Sequence, residues 1–269
     1  MENQKADLVE LQKYKEYFDR FLRNNTTEDL FSTDNSDGTH EYVKVRSVLH
    51  ETIIDEILKD SIRSSEPVAV FMGGGSGSGK SRIRDSILPS IINEPHIVII
   101  DCDSIKDRLP EYTLYECIDS LKAASLVHKE SKHIAVRLMR ECLSRGLSFI
   151  YDSTMSSPPG EFLHYIDWCK TFNFTLMIVG VYADLNTALQ RAEKRFQETK
   201  RKVPEDTIRW THKHFPITFF AIEDNFDVLQ IYDNSVDGKA PTLVAERFEG
   251  QLEVFNSVLY NKFKKRGGR

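Results

Sequence analysis

Gly74, Gly79, Lys80 and Ser81 stand at the spacing G-x-x-x-x-G-K-[ST] inside the stretch Val68 to Leu88, "VAVFMGGGSGSGKSRIRDSIL". That spacing handles phosphate. Bare glycines let the backbone wrap closely around an anion, a lysine carries charge to the outer phosphates of a nucleoside triphosphate, and a serine hydroxyl can ligate Mg²⁺. Gly75, Ser76, Gly77 and Ser78 complete the loop and Arg82 follows it, so residues 74–82 are candidate nucleotide-binding positions, with Ser81 the metal ligand. The rival dinucleotide fingerprint G-x-G-x-x-G fails, because its sixth position would be Ser78 counted from Gly73 and Lys80 counted from Gly75. A flexible glycine linker would explain neither the lysine nor the apolar run before it.

A phosphate donor site requires an acceptor site and cations. Asp101 and Asp103 in "HIVIIDCDSIKDRLPEY", and Asp152 with Thr154 in "LSFIYDSTMSS", each follow an apolar run. A carboxylate there can orient an attacking hydroxyl and take its proton, or order water around Mg²⁺. Strand-end aspartates also cap helices, as Asp103 could for the residues after it. The segment "NTALQRAEKRFQETKRKVPEDTIRW" is rich in cations, among them Arg191, Lys194, Arg195, Lys200, Arg201 and Lys202. Arg191 and Arg195 fall on one helical face, positioned to close over the nucleotide, although pairing with Glu193 and Glu198 on a solvated helix is an equally simple account.

The elements that must hold these residues alternate along the chain. Strand-length apolar runs occur at 68–72, 97–100, 148–151, 175–182 and 228–232, separated by helix-like stretches. This order predicts an α/β fold: a three-layer α/β/α sandwich around a mostly parallel five-stranded sheet, with the ligand site at the strand C-terminal ends. Two N-terminal helices are expected, one through Leu8, Leu11, Tyr14, Lys15 and Phe18, the other burying Val45, Val48, Leu49, Thr52, Ile53 and Ile57. The polar stretch between them, "NNTTEDLFSTDNSDGTHEY", reads as a loop, and residues 243–263 read as a helix. A division into an extension, 1–42, and a main domain, 43–269, follows. His212 and His214 diverge by about 200° on a helix, so they read as ordinary polar residues. Tyr232, Asp233 and Asn234 read as a turn after the last strand.

Composition excludes several classes. The 269 residues carry 36 Lys and Arg against 41 Asp and Glu, a balance that does not advertise a nucleic-acid binder. Four cysteines, Cys102, Cys117, Cys142 and Cys169, show no C-x-x-C and read as reduced core thiols. The charged start "MENQKADLVELQKY" lacks the apolar run of a signal peptide, and no segment approaches the roughly 18 apolar residues of a membrane span, so a cytoplasmic protein is expected. A switch GTPase would need N-K-x-D, and Asn261-Lys262 continues Phe-Lys instead.

The ordered elements "RSVLHETIIDEIL", "GGGSGSGKS", "IDCDSIKDRLPEY", "HKESKHIAVRLM", "YDSTMSSP", "QRAEKRF" with "RKVP", and "YDNS" resemble those of the zeta toxins and their kinase relatives, over roughly residues 46–235. The resemblance implies a P-loop kinase fold and ATP-dependent phosphorylation of a hydroxyl on a small nucleotide-containing acceptor, of which UDP-N-acetylglucosamine is best known. It makes Asp103 the catalytic base, Glu130 an acceptor-binding acid, Asp152 and Thr154 an acceptor-binding pair, and Arg191 with Arg201 the phosphate-contacting arginines. Ser153 departs from the glycine of the family's D-G-T, and Lys200 from the glycine before the arginine of R-x-V-P. An antitoxin is the implied partner, and the N-terminal helix could serve as a built-in inhibitor or simply cover apolar sheet surface. Nucleoside, nucleotide, NAD-type and polynucleotide kinases remain alternatives within the same donor chemistry.

Overall fold

A computed structural model describes residues 25–34, 40–92, 94, 96–199 and 202–268. The helix expected across residues 8–18 lies outside these, as do Lys200 and Arg201. The chain divides into two units that interleave in sequence. One takes the described residues up to Lys59 together with Cys102–Arg137, the other Asp60–Asp101 with Leu138–Arg269.

In the first unit the described residues of the stretch expected to be a loop form a helix and two strands. Thr26 caps the helix Thr27–Phe31 in a reciprocal capping box with Asp29, a T-x-x-D signal that was present in the sequence. Strand β1 (Ser32–Asp34) then pairs antiparallel with β2 (His40–Tyr42). The helix Lys44–Leu58 forms as expected, with its buried face rotated from the expected one and sharing Ile53 with it. Val45 is 77 % exposed and Val48 52 %, whereas Arg46, His50, Ile53, Ile54 and Leu58 are buried. The apolar count found Ile53 but not the centre of the buried stripe, because Arg46 and His50 are polar and are held there by hydrogen bonds with Glu130.

The second unit is built on β3 (Val68–Gly73), β4 (Val98–Asp101), β5 (Phe149–Asp152), β6 (Thr175–Tyr182), β7 (Val228–Asp233), β8 (Thr242–Phe248) and β9 (Gln251–Val254). They lie in the order β4-β5-β3-β6-β7-β8-β9. The first five are parallel, and β8 and β9 add an antiparallel edge. The fold is the α/β sandwich expected, on a sheet two strands wider than the five foreseen.

The two extra strands occupy the region read as one long helix. Glu249 and Gly250 form a two-residue reversal between β8 and β9 with φ of 50° and 77°, the left-handed pair that a tight hairpin requires. Only Ser257–Arg266 of that region is helical.

Burial explains the unbroken apolar strands. Val70, Met72, Ile150, Met177, Val179 and Val181 face one side of the sheet and pack with Ile83, Leu88 and Ile92 from the helices after the glycine loop. Phe71 and Tyr151 face the other side, in aromatic contact with Phe226, Phe162 and Tyr165. The helices Pro159–Thr171 and Glu205–Ile222 pack on one another and cover this second face. Both faces are therefore dry, which leaves the C-terminal strand edge as the place for polar side chains.

Two cysteines meet the expectation of core thiols: Cys142 and Cys169 are buried, and burial pushes each thiol up to about 12. Cys117 is exposed and Cys102 half-buried, since both lie on short helices outside the sheet core.

Candidate functional site

Strand β3 has β4 and β5 on one side and β6 on the other, so the loop that follows it opens where the chain switches direction across the sheet. Gly73 ends the strand and Lys80 starts the helix Lys80–Ser86. Gly77 and Gly79 turn the loop with φ of 79° and 85°, conformations costly for any residue with a Cβ. Lys80 Nζ folds back to donate to the Gly74 carbonyl at 3.1 Å and lies 4.0 Å from Asp152 Oδ1.

Asp152 does not stand alone. It ends β5 in register with Asp101, which ends β4, so the two carboxylates share one edge of the sheet. Arg84 Nη1 donates to Asp152 Oδ2 at 2.9 Å and lies 3.6 Å from Asp101 Oδ2. Burial alone would lower the Arg84 pKa, but Asp85, Asp152 and Asp101 together carry it above its ordinary value. The result is a compact set of two acids and two bases, Asp101, Asp152, Lys80 and Arg84. The sequence reading missed Arg84, although it stands four residues after Lys80 and thus on the same helical face.

The remaining positions distribute as follows. Ser81 is exposed in the first turn of its helix, a hard oxygen donor of the kind Mg²⁺ takes. Arg82 points instead to the carbonyl of Lys239, at 2.7 Å. Ser153 continues the sheet by donating its N–H to the Met72 carbonyl and does not adopt a positive φ, so no glycine is required there. Thr154 Oγ1 and Ser156 Oγ are 2.8 Å apart. Met155 takes the left-handed φ of 49° and is buried. Arg191 pairs with Asp237 at 2.6 Å and brings Nη1 to 3.4 Å from the Ser78 carbonyl. Arg195 sits one turn later on the same helix, exposed.

Within the other unit, Asp103 lies on the helix Cys102–Lys106, 58 % exposed, with Lys106 Nζ at 2.9 Å. Glu130, expected to bind the acceptor, is held by partners within this unit. Its side chain is fully buried. Arg46 donates to both carboxylate oxygens, at 2.5 and 2.8 Å, and His50 Nε2 lies 2.7 Å from Oε1. Burial alone would raise its pKa, but the hydrogen bonds from Arg46 and His50 bring it down to about 2. A second carboxylate, Glu111, takes the outer edge of the same guanidinium at 2.8 Å.

His212, read as an ordinary polar residue, lies against the glycine loop, and its Nε2 is 2.9 Å from the Ser76 carbonyl. Its neighbour in the motif, His214, bonds the Trp210 carbonyl and stacks on the Trp210 ring at 3.6 Å. Asn234 is buried, not a free turn, and its amide donates to the Ser78 carbonyl at 2.8 Å. Neither contact was legible, because both join residues more than 130 positions apart.

The family model described as Zeta toxin matches residues 54–240. This chain belongs to the zeta toxin family. Its fold is shared at TM-score 0.70 and 17 % identity, over 90 % of this chain and 82 % of the other, with a crystal structure titled AvrRxo1-ORF1:-ORF2 with ATP. It is likewise similar, at TM-score 0.62 and 17 % identity over 84 % and 96 % of the two chains, to a structure titled for the PezAT chromosomal toxin-antitoxin system of Streptococcus pneumoniae. A curated protein, the calmodulin calcium-dependent NAD kinase of Arabidopsis thaliana, is 35 % identical over 100 residues. That match covers 35 % of this chain and only 19 % of the relative. Among the described residues no helix is long and apolar enough to cross a membrane.

Proposed function

We propose that this zeta toxin family member transfers the γ-phosphoryl group of ATP to a hydroxyl of a small nucleotide-containing acceptor, a nucleotide sugar such as UDP-N-acetylglucosamine before others. The observation that carries this reading is the convergence of Lys80, Arg84, Asp101 and Asp152 beside a glycine loop with left-handed turns at Gly77 and Gly79. Asp103 accepts the proton of the acceptor hydroxyl, whose oxygen bonds to the γ-phosphorus as the bond to the β–γ bridging oxygen breaks and ADP leaves. Lys80, Arg191 and Arg201 offset charge on the phosphoryl oxygens. Ser81 would hold Mg²⁺, which supplies further neutralisation of phosphate charge when bound. Asp152, Asp101 and Thr154 would bind the acceptor.

Two similarities support the donor and the biology. The AvrRxo1 neighbour was solved with ATP, and the PezAT neighbour belongs to a toxin-antitoxin system; an antitoxin partner is part of the proposal, as is a cytoplasmic site of action. The NAD kinase similarity supports an NAD-type acceptor as the second reading. The deciding experiment incubates the protein with labelled ATP, Mg²⁺ and separate UDP-sugars, NAD-type dinucleotides, nucleosides and short RNA. Transfer to one acceptor class that falls by at least ~10²-fold in both Lys80→Ala and Asp103→Asn supports the reading. Transfer undiminished in either variant removes that residue from the mechanism.

Inhibition by the N-terminal segment is tested by deleting residues 1–24 only. A longer deletion would remove the buried Thr27 and Glu28, and the ion pair of Glu28 with Lys129, and so would confuse inhibition with unfolding. Higher transfer by the shortened chain is the expected result for an inhibitor, and unchanged transfer removes that role.

A further inference from the structure

Ser76 is held by both polar atoms of its backbone, and by consecutive residues of one helix. Its N–H donates to Thr211 Oγ1 at 3.1 Å, and its carbonyl accepts from His212 Nε2 at 2.9 Å. Neither partner is free to turn away. The Thr211 hydroxyl spends its proton on the Ile208 carbonyl at 2.9 Å, which leaves a lone pair aimed at Ser76. Because a carbonyl can only accept, His212 must carry its proton on Nε2. Both residues are buried. The imidazole lies flat against the loop where it has no side chain: a Cβ on Gly75 would come within 2.2 Å of His212 Cδ2. Burial, with a further push from Lys80, keeps the His212 pKa below its ordinary value, so the ring meets the loop uncharged.

We propose that Thr211 and His212 are positioning residues for the donor-phosphate loop, clamping the Ser76 backbone on both sides so that the amides beyond it keep the curvature a triphosphate needs. The clamp rests on the reading of residues 74–81 as the donor site. One consequence is that the Ser76 N–H is already spent, so the phosphates are met by later amides of the loop. Another is that Ser76 itself serves the site through its backbone and not through its hydroxyl.

The test compares Thr211→Val and His212→Leu, which delete the hydrogen bonds, with Thr211→Ser and His212→Gln, which keep an acceptor and a donor. Mg-ATP dissociation constants come from calorimetry, and exchange of the Ser76 and Gly77 amides is followed in the nucleotide-free protein. Expected are a rise of at least about tenfold in the dissociation constant for each deleting variant, recovery in each conservative one, and faster exchange confined to the loop. The double variant Thr211→Val/His212→Leu is expected to lose little more than either single, since both act through the backbone of one residue. His214→Leu, on the same helix but bonded to its own backbone, is the control that leaves affinity alone.

Dissociation constants within twofold of the parent, in variants with unchanged melting temperature, overturn the proposal. So does a loss that the conservative variants share, since that marks general helix damage. If the parent protein itself ignores Mg-ATP, the donor reading falls, and the amide exchange decides the clamp by itself: parent-like rates in the deleting variants refute it, and faster loop exchange sustains it.

Discussion

Lys80 reaches the Gly74 carbonyl and Asp152 from one side while Arg84 reaches Asp152 and Asp101 from the other. Two cations over two carboxylates leave the lysine only partly committed to protein partners, which suits a group that must meet phosphate. Replacing Arg84 by Gln is therefore expected to draw Asp152 onto Lys80, and to lower kcat/KM for Mg-ATP by about 10- to 100-fold with the fold intact by circular dichroism. Parent-like kcat/KM would show that Arg84 is a bystander. In the other unit, Glu130 is stabilised as an anion chiefly by Arg46 and His50. Arg46→Leu strips a buried charge of its main partner and is expected to cost about 3–5 kcal/mol of stability by urea titration. The double replacement Arg46→Leu/Glu130→Leu should recover part of that loss, because the orphaned charge goes with it.

The β8–β9 hairpin shows how an element follows from two dihedral angles. Glu249 and Gly250 both occupy the left-handed region, and glycine does so without the penalty of about 1–2 kcal/mol that a Cβ carries. Nothing lies within 4 Å of a Cβ built on Gly250, so Gly250→Ala isolates the backbone cost and should destabilise by about 1 kcal/mol. Glu249→Asn supplies the residue this turn prefers and should stabilise by a few tenths to ~1 kcal/mol. Urea midpoints measure both, and an unchanged midpoint in Gly250→Ala would mean the turn is not held in this form. The hairpin could have been found in the sequence, since "TLVAERFEGQLEV" holds two strand-length runs two residues apart. An amphipathic count over a longer window averaged that signal away. The opposite outcome holds for the five parallel strands, whose near-continuous apolar runs survive any window because both sheet faces are buried.

At the scale of the molecule, each unit stores pH sensitivity of its own. Burial lowers the pKa of His133 in one unit and of His212 in the other, below the ordinary 6.5. The unfolded chain therefore binds protons that the folded chain refuses, so stability is full above about pH 6.5 and falls as the pH drops below it. Glu130, held at about 2 against an ordinary 4.5, adds stability above pH 4.5 that is lost as the pH falls from there toward 2. Urea midpoints at pH 7.5, 5.5 and 4.0 should fall in that order, and a flat series would mean that these groups titrate alike folded and unfolded. His50 and Arg46 are absent from any apolar count of their helix, yet they decide which of its faces turns inward.

The order of apolar runs, the spacing of Gly74, Gly79, Lys80 and Ser81, and the aspartates closing β4 and β5 were determined by the sequence alone, because each is a local pattern set by strand period, turn chemistry or phosphate geometry. What only the tertiary structure decided is which distant residues meet: Arg84 with Asp152, His212 and Thr211 with Ser76, Asn234 with Ser78, and Arg46 with Glu130. Those pairings depend on how distant helices and loops come together, where on a helix a rotation of one residue moves a side chain by 100°, and no short-range spacing encodes that choice.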